Sequence, residues 1–120
     1  SRTEPNAGLV VLKGVNHPSG SLKAGRQQPA ERLMLALRLA AQLRRSGLLA
    51  GRQLTEVDVS QPSQLTFVLD QETEIRCGTE HELPDQLSRL GAVLKRVDRH
   101  ALAIRYIDVR FRDPVIRPRT

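Results

Sequence analysis

The residues whose side chains could perform chemistry are few and dispersed. A hydrolase needs a nucleophile with a base beside it, but the three histidines, His17, His81 and His100, lie in unrelated contexts. No two of them share the spacing of metal ligands. The only basic residue next to Cys77 is Arg76, which strand alternation places on the opposite face. The thiol is therefore interpreted as a small buried hydrophobe. The sequence therefore predicts no catalytic residue and no metal site.

Two further patterns resemble ligand sites without matching them. The stretch "GSLKAG" places glycines near a lysine but lacks the order of a phosphate-binding loop. Asp70, Glu72 and Glu74 form a carboxylate cluster, yet they straddle a predicted hairpin turn, where acidic residues favour solvation. No cofactor is expected, and binding is left as the function to explain.

Charge is unevenly distributed along a chain whose net charge is +6. Residues 70–85 hold six acids against one arginine, whereas residues 95–120 hold eight bases against three acids. A basic end favours acidic proteins, nucleic acid or anionic lipid, or is simply a solvated face. Because the only aromatic residues are Phe67, Tyr106 and Phe111, base stacking has little support, and nucleic acid is the second choice.

The first half of the chain predicts one strand, one long loop and one helix. "GLVVLKG" indicates a strand over residues 9–13, and residues 14–27 read as a surface loop. Helical periodicity runs over residues 29–46. The apolar positions expected to face inward are Leu33, Ala36, Leu37, Ala40 and Leu43, and those expected to face outward are Arg32, Arg38, Gln42 and Arg45.

The second half predicts three strands, a second helix and two last strands. Residues 54–59, 65–69 and 74–77 form a meander, and Thr79 with Glu82 has the spacing of a capping box. The helix that follows carries a stripe at three- and four-residue steps, which comprises Leu83, Leu87, Leu90, Leu94 and Val97. Residues 104–111 form a strand with Ile107, Val109 and Phe111 inward, and residues 115–117 form a short last strand.

The element order is β-α-β-β-β-α-β-β, which predicts an α+β fold with a mainly antiparallel sheet and two helices. A chain of 120 residues without tryptophan is expected to form one domain, 1–120, with an aliphatic core. No apolar run of about 18 residues is present. The start at Ser1 suggests a processed product or an excised piece of a longer protein.

The ordered features resemble a known family. "GLVVLKG", then a helix, "LTEVDVSQPSQLTFVLDQETEIRCG", a leucine-periodic helix and "IRYIDVRF" are similar to the C-terminal β domain of the FtsQ/DivIB bacterial cell-division proteins. The resemblance extends from Leu9 to Arg117, and "YIDVRF" is its most specific part.

The resemblance implies a non-enzymatic scaffold on the periplasmic face of the inner membrane at the division site. The full-length protein would carry a transmembrane helix and a POTRA domain upstream, and would bind FtsB and FtsL. A strand of FtsB would add to the last sheet edge with a charged contact from Arg110. The implied partner site comprises Tyr106, Arg110, Phe111, Arg112, Val115, Ile116 and Arg117.

This chain departs from the family pattern after the aromatic residue. "RDP" replaces a glycine-containing turn, and no tryptophan follows. Pro114 and Pro118 bracket the terminal "VIR", a placement that either shapes an edge for a partner or protects it against pairing.

Overall fold

The predicted order of strands and helices is confirmed. The computed structural model describes residues 9–15, 29–49, 51–100 and 103–119. Its elements are β1 (Val11–Lys13), α1 (Pro29–Arg45), β2 (Leu54–Asp58), β3 (Thr66–Leu69), β4 (Thr73–Arg76), a 3-10 turn (Glu80–Glu82), α2 (Leu83–His100), β5 (Ile104–Asp108) and β6 (Val115–Pro118).

All six strands form one sheet, in the order β1-β2-β3-β4-β5-β6. The meander β2-β3-β4 and the pair β5-β6 are antiparallel, as expected from their short connections. The pairs β1-β2 and β4-β5 are parallel, so the expectation of a mainly antiparallel sheet is corrected to a mixed sheet. The reason is that a helix separates the strands of each parallel pair in sequence, and such a crossover returns the chain to the end where the first strand began.

One apolar core lies between the two helices and one face of the sheet. It joins Leu35, Leu39 and Leu43 of α1 and the leucine stripe of α2 to the inward side chains of the strands. Of these, Val57, Phe67, Ile75 and Ile107 are fully buried. The opposite sheet face, called the open face below, carries the alternate residues, including Lys13, Glu56, Thr66, Glu74, Arg76, Tyr106 and Arg117.

The prediction for α2 is confirmed and that for α1 is partly wrong. All five stripe residues of α2 are buried. In α1, Ala36, Ala40 and Leu43 face inward, but Leu33 and Leu37 are 41% and 48% exposed. Arg32, expected on the outward side, is buried.

Burial of Arg32 has a polar cause. Its Nη1 donates to the carbonyl oxygens of Ser60 at 3.0 Å, Val59 at 3.2 Å and Gly14 at 3.4 Å. These carbonyls lie at the ends of β1 and β2, where the ladder has stopped and the backbone needs other donors. Gly14 has φ +84, and a Cβ there would lie 2.3 Å from the amide nitrogen of Ser60, so the two strand ends approach too closely for any side chain. Arg32 therefore ties α1 to the ends of this parallel pair.

Several element boundaries differ from the prediction. β1 begins at Val11 rather than at residue 9, and β5 ends at Asp108 rather than at residue 111. Because the strand ends early, Phe111 does not continue its alternation, and it is 54% exposed instead of facing inward. The predicted loop over residues 14–27, with "GSLKAG" and His17, lies outside the described residues from residue 16 onward.

Two features are absent from the described part of the chain. Neither helix there is long and apolar enough to cross a membrane. No group of three or more histidine, cysteine, aspartate or glutamate side chains in it could hold a metal ion.

The role of Arg32 is testable by stability. Arg32→Met keeps the length and the apolar stem but removes the donor to three carbonyls. We expect a loss of about 2 kcal/mol in the free energy of unfolding, which corresponds to a fall of about 8 °C in Tm for a domain of this size. Thermal unfolding followed by circular dichroism measures it.

Arg38→Gln on the same helix is the matched control. Arg38 pairs with Glu80 at 2.8 Å, but its side chain is 53% exposed. An exposed pair of this kind contributes less than about 1 kcal/mol. Equal Tm losses in the two variants would contradict the structural role given to Arg32.

Candidate docking edge

Among the described residues, the sheet ends in two edge strands, β1 and β6, each with one neighbour. β1 has three residues, and its end at Gly14 is covered by the Arg32 side chain. β6 has four residues and follows the short turn formed by residues 110–113. The predicted partner site therefore lies on an edge strand, at the end of the sheet away from β1.

The backbone groups of β6 divide into two sets. The N–H of Arg119 donates to the Ala103 carbonyl at 3.1 Å, which directs residue 119 toward the chain that leads into β5. Because backbone groups alternate in direction along a strand, the N–H and C=O groups of Val115 and Arg117 also point toward β5. These two residues pair with Asp108 and Tyr106. The N–H of Val109 donates to the Arg76 carbonyl at 3.0 Å and so points toward β4. By alternation along β5, the backbone groups of Asp108 and Tyr106 then point toward β6, as this pairing requires.

The backbone groups of residues 114, 116 and 118 consequently point away from β5, and these residues are called the outward positions. The outer side of residues 114–118 is called the docking edge. Ile116 presents both its N–H and its C=O there, whereas Pro114 and Pro118 have no N–H to present. The docking edge has one backbone donor and a surplus of acceptors.

Arg110 does not point freely into solvent. Its Nε donates to Oδ1 of Asp108 at 2.9 Å, and its Nη2 donates to Oδ2 of the same carboxylate at 2.6 Å. The backbone N–H of Arg110 also donates to Asp108 Oδ1 at 3.0 Å. This fork holds the guanidinium at the end of β5, and its centre lies 5.4 Å from the Phe111 ring centroid. Among the described residues, Nη1 of Arg110 has no hydrogen-bond partner.

Asp108 is a buried carboxylate kept ionised by its neighbours. Burial favours the neutral acid, but the hydrogen bonds from Arg110 and the charges of Arg110 and Arg76 outweigh it and lower the pKa of Asp108. The same contact raises the pKa of Arg110. Arg76 in turn lies over the Tyr106 ring, 3.7 Å from its centroid. Arg76 Nε also pairs with Glu74 Oε2 at 3.3 Å. The open face beside β6 is thus a connected array of arginines, two carboxylates and one phenol.

An arginine of α2 supports the turn before β6. Arg89 Nη1 donates to the carbonyls of Val109 at 3.0 Å and Phe111 at 3.4 Å. Sequence reasoning did not single out Arg89, because its partners lie 20 and 22 positions away and no local pattern marks them. Gln86, one turn earlier, is buried and accepts from the N–H of Gly78 at 2.8 Å. Polar side chains of α2 therefore hold the segments that follow β4 and β5, at the same end of this parallel pair.

The structure brings most of the predicted site residues together. Tyr106 faces Arg117 across the β5-β6 pair. Ile116 is half-buried and packs on the core, while Phe111, Arg112, Val115 and Arg117 are exposed. Tyr106 and Arg110 are held by Arg76 and Asp108, and these two partners were not predicted as part of the site.

The remaining candidates for chemistry lie apart from this edge or are inaccessible. Burial raises the pKa of the Cys77 thiol to about 12, and the nearby Asp108 carboxylate adds to the effect. A thiol of this kind is a poor nucleophile, and its side chain is fully buried, as expected. His81 lies in the 3-10 turn, and His100 ends α2. Asp70 and Gln71 have φ of 54 and 61 at the β3-β4 turn, where Asp70 accepts from the N–H of Gln53.

Comparison with protein families gives a match over most of the chain. The model of the family described as cell division protein FtsQ/DivIB, C-terminal, matches residues 1–110. The chain belongs to the FtsQ/DivIB family. No curated protein matches it closely enough to add a relative. Membership in this family makes the chain a cell-division scaffold domain, which works within a division-protein complex. The match ends at Arg110, so the turn and β6 of this FtsQ/DivIB domain lie beyond the matched residues.

The Asp108–Arg110 pair predicts a specific pH dependence. Because the folded-state pKa of Asp108 is lowered, its stabilisation is complete above the unfolded pKa of about 4 and is lost as the pH falls through the folded value. Asp108→Asn should lower stability by about 1 kcal/mol at pH 7, a modest amount because Arg110 is partly solvent-exposed. The Tm difference from wild type should shrink as the pH falls below about 4.

Asp113→Asn is the control for this measurement. Asp113 is exposed in the same turn, and its side chain makes no hydrogen bond or ion pair with the residues that the structure describes. Thermal unfolding at several pH values compares the three proteins. A difference between wild type and Asp108→Asn that stays constant from pH 7 to pH 3 would contradict the ionised pair.

Proposed function

We propose that this FtsQ/DivIB domain is a non-enzymatic interaction module that captures an extended segment of an FtsB-like partner, in a complex with an FtsL-like protein, by strand addition to β6. The observation that carries the proposal is the outward-facing Ile116 peptide on an edge strand. An unpaired N–H and C=O at a sheet edge can extend the ladder with another chain.

Charge around the docking edge favours an acidic partner segment. Arg112, Arg117 and Arg119 are exposed beside β6, and Nη1 of Arg110 has no hydrogen-bond partner in the described part of the chain. A carboxylate on the partner strand could accept from that nitrogen while Asp108 continues to hold the rest of the fork. Asp108 thus fixes the orientation of Arg110 before the partner arrives, so less side-chain entropy is lost on binding.

Apolar contacts give the partner strand a second point of recognition. Phe111 and Val115 are 54% and 45% exposed at the start of β6. The Arg110 guanidinium lies beside the Phe111 ring. An aromatic side chain that already packs against a neighbouring arginine loses little conformational freedom when a partner binds. Alternate residues of an added strand would meet the open face and the helix-covered face, so an alternation of acidic and apolar residues fits this edge.

The location follows from the same proposal. A domain of this kind would lie on the extracytoplasmic, periplasmic face of the bacterial inner membrane at the division site. Its longer protein would carry a POTRA segment and one membrane-spanning helix upstream. The upstream sequence tests this directly, since a cytosolic domain fused there would contradict it.

Strand addition predicts a sharp effect at Ile116. In Ile116→Pro the outward N–H is replaced by a ring that blocks the approach of another backbone. We expect binding of the organism's FtsB-like extracytoplasmic segment to weaken at least about tenfold, a loss of roughly 1.4 kcal/mol. Isothermal titration calorimetry measures the affinity.

Ile116→Val is the matched control, because it keeps the N–H and most of the core contact. Amide NMR spectra of each variant report whether β5 and the core are intact. If wild type, valine and proline variants bind with equal affinity, the edge is not the site.

Charge reversal tests the electrostatic part separately. Arg110→Glu should weaken binding and reduce its salt dependence, because it removes an attraction and adds a repulsion at the edge. Arg44→Glu makes the same change in net charge on the exposed side of α1 and should bind like wild type. Equal losses in both variants would mean that only overall charge matters. Salt-sensitive binding of DNA in place of the peptide would favour the nucleic-acid alternative.

A further inference from the structure

The docking edge has too few donors to pair with itself. Each copy of the chain presents one outward N–H over residues 114–118, that of Ile116, because the other two outward positions are Pro114 and Pro118. Two copies joined through β6 therefore share two donors, and at most two hydrogen bonds can form. The remaining carbonyls of both strands would be brought together without a donor, which is costly once water is excluded.

A strand of a different chain can form more hydrogen bonds with the same edge. A partner strand with free N–H groups at its edge-facing positions can donate to the carbonyls at 114, 116 and 118 and accept from Ile116. It forms up to twice as many bonds as a second copy could. The difference arises only from the two missing amide hydrogens, since the carbonyl oxygens of the prolines remain acceptors.

Side-chain charge acts in the same direction. Arg117 lies on the open face of β6 and is exposed, and Arg112 and Arg119 flank the strand. In a pair of identical strands the positive charges of these arginines would repel one another, whereas an acidic strand would neutralise them. Backbone and side chains therefore both disfavour the homotypic pair.

We propose that Pro114 and Pro118 are specificity-determining residues of the docking edge, which bar a second copy of this chain and select a heterologous, acidic strand that supplies the amide donors. This inference rests on the proposed function for the identity of the site, but its central claim about self-pairing does not require the partner.

The decisive experiment restores the missing donors. The double variant Pro114→Ala, Pro118→Ala presents three outward N–H groups per copy instead of one. Sedimentation velocity over a concentration series should show the double variant associating to a dimer while wild type remains monomeric. Hydrogen exchange measured by NMR should show the amides of residues 114, 116 and 118 becoming protected as the dimer forms.

Two controls make the result specific. Pro62→Ala changes an exposed proline in the β2-β3 turn and should stay monomeric. Pro118→Ala alone, which adds one donor per copy, should associate more weakly than the double variant, and it provides the readout if the double variant is poorly folded.

Three results would overturn the inference. They are a monomeric double variant at every concentration, a wild-type chain that dimerises through β6, and a dimer whose residues 114–118 stay unprotected. None of these depends on partner binding. If the FtsB-like segment fails to bind wild type, the proposed function fails while the self-pairing result still stands.

Discussion

Two parallel strand pairs within a single sheet constrain the rest of this structure. Each pair requires a crossover, and the chain uses α1 for β1-β2 and α2 for β4-β5. Both helices contribute to the same core, so one face of the sheet is covered and the other is open. Since strand order follows chain order among the described residues, the two edges of this sheet are β1 and β6. The position of β6 at an edge is thus a consequence of the topology, and its exposed backbone is what a binding module of this size has to offer.

Arginines hold this scaffold at the points where regular hydrogen bonding ends. Arg32 caps the ends of β1 and β2, and Arg89 donates to carbonyls beside the β5-β6 turn. Arg110 forms a fork with the buried carboxylate of Asp108. Guanidinium groups suit these places because one planar side chain can satisfy several carbonyls or both oxygens of a carboxylate. Part of the positive charge is therefore structural, while Arg112, Arg117 and Arg119 supply exposed positive charge around β6.

Sequence reasoning succeeded where local signals agreed with the tertiary structure. The leucine stripe of α2 and the meander β2-β3-β4 were predicted because periodicity and turn residues suffice for them. It failed for α1, whose apolar residues surround more of the helix than one face, so periodicity could not choose between Leu33 and Leu35. Arg32 was misplaced because its acceptors are 18 to 28 residues away. At the site, the docking residues were named from the family pattern, whereas Asp108, Arg76 and Arg89, which position them, act through contacts that no local motif encodes.

The effect of the two prolines depends on the direction in which the backbone groups of β6 point. A sheet edge is usually protected by charge, by bulges or by short length, and β6 is short and basic. Proline at an inward position would have broken the β5-β6 ladder, and proline at every outward position would have left no donor at all. Here prolines occupy two outward positions and Ile116 the one between them, so pairing is reduced without being abolished. Such an edge discriminates by the number of donors its partner brings. Protection and recognition are then effects of one arrangement, because the carbonyls that repel an identical strand are the acceptors that a different strand requires.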